Sequence, residues 1–281
     1  MKLKQKLAVA YVRTRFKLLA AVSPKKAAVK AFDLFCTPQS RNIKELPSIF
    51  KEAELLKFKF QENNIIGYRW SNPSALKKAL IVHGFESSVI NFDKYVTGLI
   101  KKGYEVLALD APAHGLSSGK TITVIIYRDF IKFICKKYGP IQSFMAHSFG
   151  GLALCMALAE NTQIERSRVA LIAPATETKT AIDQFFYFLR LDGEVRNEFE
   201  TIISTMSGHA VPWFSIRRAV KKINADILWM HDKDDKITPL KDVFPVREEN
   251  HPNIQFVITN GLGHRKIYKD PKVIKTVVNF L

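Results

Sequence analysis

The sequence predicts an α/β fold: a mostly parallel central sheet of about eight strands flanked by helices, with an N-terminal helical extension and a later helical insertion. Three observations carry this. Short apolar runs, Lys78–Val82 and Ile141–Met145, read as buried strands and Tyr104–Asp110 as a further strand, and turns and helix formers follow them. Residues 55–60 and 65–70 alternate apolar and polar at period two across Glu62-Asn63-Asn64, which reads as an opening hairpin. From Pro174 to about Ile223 the strand pattern vanishes, and it resumes at Asp226. The near-continuous alternation favours one main domain, residues 51–281, with its insertion at 174–223, preceded by an extension over 1–50.

The extension is helical and broken at Ser23-Pro24 and Thr37-Pro38. The whole chain carries a formal charge of +17, and nine Lys and Arg residues precede the first acid, Asp33. Leu3, Leu7, Tyr11 and Leu18, with Val9, Val12, Phe16 and Leu19, recur near helical spacing. The apolar run is too short for a secretory leader and the segment too polar to span a bilayer. Two readings stand. The helix packs on the body with its lysines in water, or it is an amphipathic element touching an anionic membrane, peripheral at the inner surface. Nucleic acid is not expected, because no aromatic-basic groove motif accompanies the charge. Cys36, Cys135 and Cys155 are odd in number and far apart, which suits a reducing, cytoplasmic setting.

Further along, Ile141–Met145 leads into Ala146-His147-Ser148-Phe149-Gly150-Gly151 and then a good helix former, Leu152–Ala159. A serine at a sharp strand-to-helix turn, with small residues two positions either side, has the pattern of a nucleophile elbow. The plainer alternative is a Ser-Phe-Gly-Gly loop capping a helix. The Lys78–Val82 strand ends in His83-Gly84-Phe85, and the strand ending at Asp110 runs into a Gly/Pro/Ser-rich turn containing His114, where both residues shape the loop. Asp226–His231 reads as a strand leading to Asp232, Asp234 and Asp235. Asn253–Thr259 reads as the next strand, followed by Gly263-His264. Serine, acid and histidine therefore follow in that order, each after its own strand. His147 supports the elbow, His231 packs at a strand end, and His209 and His251 are surface or capping residues.

With these motifs the chain resembles the α/β-hydrolase superfamily over roughly residues 55–281. The resemblance implies a Ser148, Asp235, His264 triad, with Asp235 chosen because the family pattern His-Gly-x-x-Asp-x-x-Val-Pro falls on His231 to Pro239. Asp232 stands where that pattern has glycine. Carboxylates so crowded repel, so Asp232 and Asp234 are expected to face solvent beside Lys233 and Lys236. Glu177 is the alternative acid. The backbone amides of Phe85 and Phe149 would form an oxyanion hole. The insertion would form a helical cap over the nucleophile, its Phe185, Phe186 and Trp213 being either cap core or the lining of an apolar acyl pocket. No cofactor and no metal are expected, since neither a phosphate loop, a dinucleotide fingerprint nor metal-ligand spacing occurs. The implied activity is hydrolysis of a small-molecule ester or thioester. Another reaction on the same scaffold (peptidase, lyase, cofactor-free haloperoxidase) or a non-catalytic acyl-ligand binding protein are the alternatives. The sequence leaves the oligomeric state open.

Overall fold

In a computed structural model, residues 3–41, 43–160 and 167–281 are described. The chain divides into two compact units, one of Pro38–Thr176 with Ser215–Leu281, the other of Met1–Thr37 with Glu177–Phe214. The strands are β1 (Glu54–Phe60), β2 (Asn63–Trp70), β3 (Lys78–Val82), β4 (Glu105–Leu109), β5 (Ser143–His147), β6 (Arg168–Ile172), β7 (Asp226–Asp232) and β8 (Ile254–Thr259). The helices are α1 (Leu3–Val22), α2 (Pro24–Cys36), α3 (Ser48–Lys51), α4 (Asp93–Lys101), α5 (Val124–Tyr138), α6 (Phe149–Ala159), α7 (Thr178–Leu189), α8 (Glu194–Ser207), α9 (Ile216–Val220), α10 (Phe244–Glu248), α11 (Gly263–Lys266) and α12 (Pro271–Phe280).

The larger unit holds one eight-stranded sheet in the order β1-β2-β4-β3-β5-β6-β7-β8. The expected hairpin is β1–β2, antiparallel with Phe58 opposite Ile65. β2 also runs antiparallel to β4, and every later pairing is parallel. The apolar runs explain the parallel core. β4 and β5 are buried throughout, and β3 and β6 at every position after the first. Strands covered by helices on both faces have no solvent side to spend polar residues on. Helix ends follow local chemistry. The Thr123 hydroxyl accepts from the Ile126 amide at 3.2 Å to open α5, and Asp270 caps α12 ahead of Pro271. The strand order reverses between β3 and β5, so the carboxyl ends of these two central strands form the crevice where open α/β sheets bind ligands.

The smaller unit joins the N-terminal extension to the insertion in one apolar core. Ala27, Ala28 and Ala31 of α2 pack with Ile182 and Phe186 of α7 and Phe199 of α8, all buried. The alanines let α2 approach closely, while the rings interlock. Phe35 lies 5.1 Å from Phe185, and Phe186 lies 5.1 Å from Phe199 at 87°. Ser23 caps α2, accepting from the Lys26 amide at 3.3 Å with Pro24 in the first turn, which places the break between α1 and α2 where the sequence signals it. Truncating Phe199 to alanine is expected to cost about 3–5 kcal/mol by leaving a cavity among these rings. Denaturant unfolding measures it, and a loss under about 1 kcal/mol would contradict the packing described. Among the described residues, no helix is long and apolar enough to cross a membrane.

Candidate active site

Ser148 sits between β5 and α6 with φ 54 and ψ −126. For a residue with a side chain this conformation is strained by about 1–3 kcal/mol and persists only where neighbours fix it. They do: the Ser148 amide donates to the Ile172 carbonyl at 3.1 Å, and its carbonyl accepts from Gly151 at 2.9 Å and Ala175 at 3.0 Å. The small flanking residues are required by space. A Cβ on Gly150 would fall 2.3 Å from the His83 carbonyl oxygen, and one on Gly151 would meet Pro174 at 2.7 Å. Ala146 keeps its methyl group fully buried in β5, so this elbow accommodates alanine at the position where the usual pattern has glycine.

The three residues proposed from their order meet. His264, on the short helix α11 after β8, places Nε2 2.9 Å from Ser148 Oγ and Nδ1 2.8 Å from Asp235 Oδ2. A proton on Nδ1 is donated to the carboxylate, which leaves Nε2 as acceptor for the serine hydroxyl. Asp235 is buried, and its Oδ1 accepts from the amides of Ile237 and Thr238, both at 2.9 Å. Burial pushes its carboxyl up, but hydrogen bonds from His264 and Thr238 outweigh that and hold it below the usual carboxylate range. Thr238, to which the sequence reading gave no role, donates its hydroxyl to Asp235 Oδ2 at 2.8 Å and lies 3.1 Å from His264 Nδ1. Its spacing of three from the acid was the available signal, since a carboxylate commonly caps amides two and three residues on.

Asp232 corrects an expectation. It does not face solvent but is fully buried. Its oxygens accept from the amides of Asp234, Leu262 and Gly263 and from the Thr259 hydroxyl. Burial raises its carboxyl, and these four donors more than reverse the effect, leaving it below its ordinary value. Asp232 therefore anchors the turn that delivers His264. Asp234 is exposed as expected, though it accepts from the Gly261 amide at 3.0 Å. Glu177 stands at the N-cap of α7.

Gly84 lies against the elbow, where a Cβ would come within 3.0 Å of both Ser148 Cβ and His147 Nδ1. This brings the Phe85 segment beside the serine, and the Phe85 and Phe149 rings meet edge to face at 5.8 Å. Among the described residues neither the Phe85 nor the Phe149 amide has an acceptor. Two imidazoles brace this loop. His83 Nδ1–H donates to the Gly84 carbonyl at 2.8 Å while its Nε2 accepts from the Ala111 amide, and His114 Nε2 accepts from the Glu86 amide at 3.1 Å. Asp110 ties the neighbouring turns, accepting from Ser88, Val89 and Leu116. His147, beneath His264 with ring centroids 4.8 Å apart, donates Nε2–H to the His264 carbonyl at 3.2 Å. Burial, and then the neighbouring His264, hold it neutral by pushing it well below its ordinary value.

Burial likewise lowers His83 to about 4 and His114 to about 3. Both take protons more readily in the unfolded chain, where the value is about 6.5, so their neutral-state stability is complete above that pH. It is lost as the pH falls from 6.5 through the folded values, on the order of 3 kcal/mol per ring by pH 4. Thermal melts between pH 7 and pH 4 should show the fall, and His114→Gln, which cannot titrate, should flatten it. An equal pH slope in the variant would contradict the neutral brace.

Of the aromatic residues assigned to core or pocket, Phe186 is buried and Phe185 partly buried in the smaller unit's core, and Trp213 stacks on His209 at 3.9 Å.

Residues 73–277 match a family model described as Serine aminopeptidase, S33. No curated protein sequence matches the chain. Among solved structures, an esterase of Pyrococcus furiosus aligns at 22% identity and TM-score 0.66 over 88% of this chain and 97% of that one. Est1E of Butyrivibrio proteoclasticus, with ferulic acid bound, aligns at 19% identity and TM-score 0.60 over 80% and 97%. A thioesterase domain from the curacin biosynthetic pathway aligns at 14% identity and TM-score 0.59 over 80% and 99%. At these identities the likeness establishes the shared fold.

Proposed function

Since this chain belongs to the serine aminopeptidase S33 family of α/β hydrolases, and is thereby a serine hydrolase, we propose that it cleaves carboxylic ester or thioester bonds through an acyl-enzyme. The observation that carries the reading is the continuous hydrogen-bonded path from Ser148 Oγ through His264 to Asp235, at 2.9 and 2.8 Å. Ser148 Oγ attacks the carbonyl carbon as its proton passes to His264 Nε2. Asp235 stabilises the resulting imidazolium without taking the proton. The negative charge on the former carbonyl oxygen is held by the amides of Phe85 and Phe149, at the positive end of α6, an effect of about 3–4 kcal/mol per donor in comparable sites. Collapse expels the alkoxide or thiolate, which takes the proton from His264. Water, deprotonated by the same imidazole, then releases the acid and restores Ser148.

The family description itself favours a second reading, an aminopeptidase. Such an enzyme must bind a substrate ammonium. The buried carboxylates around the triad, Asp110, Asp232 and Asp235, are all engaged by donors from the protein itself, which supports the ester reading. The esterase and thioesterase names among proteins of like fold point the same way. Turnover of nitrophenyl acyl esters beside aminoacyl nitroanilides separates the two: hydrolysis of the esters alone, with a pre-steady-state burst, is expected. Preferred cleavage of the anilides would select the peptidase.

A further inference from the structure

The exposed face of α1 carries a row of large apolar side chains. The helix is apolar on two opposite sides. Val12, Phe16, Leu19 and Ala20 pack into the smaller unit's core. Leu7, Tyr11, Leu18 and Val22, spaced by four, seven and four, fall on the other side, and they are 62, 63, 64 and 82% exposed. Four large apolar side chains aligned on one turn-by-turn stripe differ from the scattered surface apolars of ordinary proteins.

Charge identifies what covers the stripe. Residues 1–37 contain nine Lys and Arg against Asp33 alone, a net of +8. Lys6 and Lys17 flank one edge of the stripe by helical position and Arg15 the other, with the Arg15 guanidinium over the Tyr11 ring at 5.6 Å. Among the described residues, Lys6, Arg15, Lys17, Lys25, Lys26 and Lys30 have no ion-pair partner. A second copy of this chain would oppose like charges across the stripe. Nucleic acid would meet the cations but leave the apolar row in water.

We propose that the outer face of α1 docks on a membrane surface rich in anionic phospholipid, with Leu7, Tyr11, Leu18 and Val22 at the acyl boundary and the flanking cations at the headgroups. The helix lies in the interface and does not cross it. Its inner face stays packed in the smaller unit's core. Packing and membrane contact, which the sequence leaves as competing readings, become properties of opposite faces, the inner one packed in the smaller unit.

The test uses full-length protein, because deleting α1 would also strip Val12, Phe16 and Leu19 from a core. Co-sedimentation is measured with vesicles of phosphatidylglycerol in phosphatidylcholine and of phosphatidylcholine alone. The anionic vesicles should bind at least about tenfold more protein, and raising the salt to about 1 M, where the Debye length is about 3 Å, should release it. Leu18→Ser with Val22→Ser, and separately Lys6→Gln with Arg15→Gln and Lys17→Gln, should each lower binding about tenfold or more while leaving hydrolysis of a soluble ester at the wild-type rate. Equal binding to both vesicle types, no binding to either, or self-association abolished by the Leu18 and Val22 changes in the absence of vesicle binding would each overturn the proposal.

Discussion

Replacing Ser148 by alanine is expected to lower kcat on a soluble nitrophenyl ester by about 10⁵–10⁶-fold, with the fold intact. The change deletes one oxygen. The backbone bonds that fix the elbow, to Ile172, Gly151 and Ala175, do not involve the side chain and survive. So do the glycines that give the turn its room. What disappears is the atom 2.9 Å from His264 Nε2, and with it the nucleophile of the proposed mechanism. The residue of activity should be what the oxyanion donors supply to direct attack by water. Thermal melting and kcat are measured on the same preparation, and a folded variant within tenfold of wild type would contradict the assignment.

Asp235→Asn and Asp232→Asn should differ in kind. Asp235 Oδ1 can keep its bonds from Ile237 and Thr238 in the amide, but the group facing His264 Nδ1 becomes a donor. The imidazole is then held in the wrong tautomer, so Nε2 carries the proton and cannot accept one from Ser148. Loss of kcat by about 10⁴ is expected, with a modest change in melting temperature. Asp232 touches neither the Ser148 nor the His264 side chain. Both of its oxygens accept from two donors each, so an amide must turn a donor toward donors in a buried place. The expected result is destabilisation of about 1–3 kcal/mol, with activity falling through the loosened Leu262-Gly263 turn. Asp234→Asn, at an exposed position, should stay within about tenfold of wild type. Reversal of the pattern, with Asp232→Asn the stable but inactive protein, would move the acid to Asp232.

What the sequence made legible follows from range. The buried strands stood out because a strand covered on both faces has little use for polar residues, and the elbow because its turn demands small neighbours at fixed spacing. The order of serine, acid and histidine could be read because each follows its own strand. The roles of the acids could not. Asp232, Lys233, Asp234 and Asp235 have the composition of a solvated loop, yet Asp232 is drawn inward by amides some thirty residues away, and no local pattern announces such a partner. The N-terminal helix was hard for the opposite reason. Apolar residues on two faces blur a single amphipathic stripe, and only the packing of Val12, Phe16 and Leu19 separates them from Leu7, Tyr11 and Leu18. Nor does the sequence announce that the extension and the insertion, about 140 residues apart, share one core.

The most direct test of the central claim is covalent labelling with a fluorophosphonate followed by peptide mass spectrometry. Phosphonylation needs a serine activated by a neighbouring base and a place for the new oxyanion, the arrangement proposed here around Ser148. One label per chain on the peptide containing Ser148 is expected, with the rate cut by orders of magnitude in His264→Ala. Labelling at another serine, or labelling of Ser148 at an unchanged rate without His264, would contradict the account.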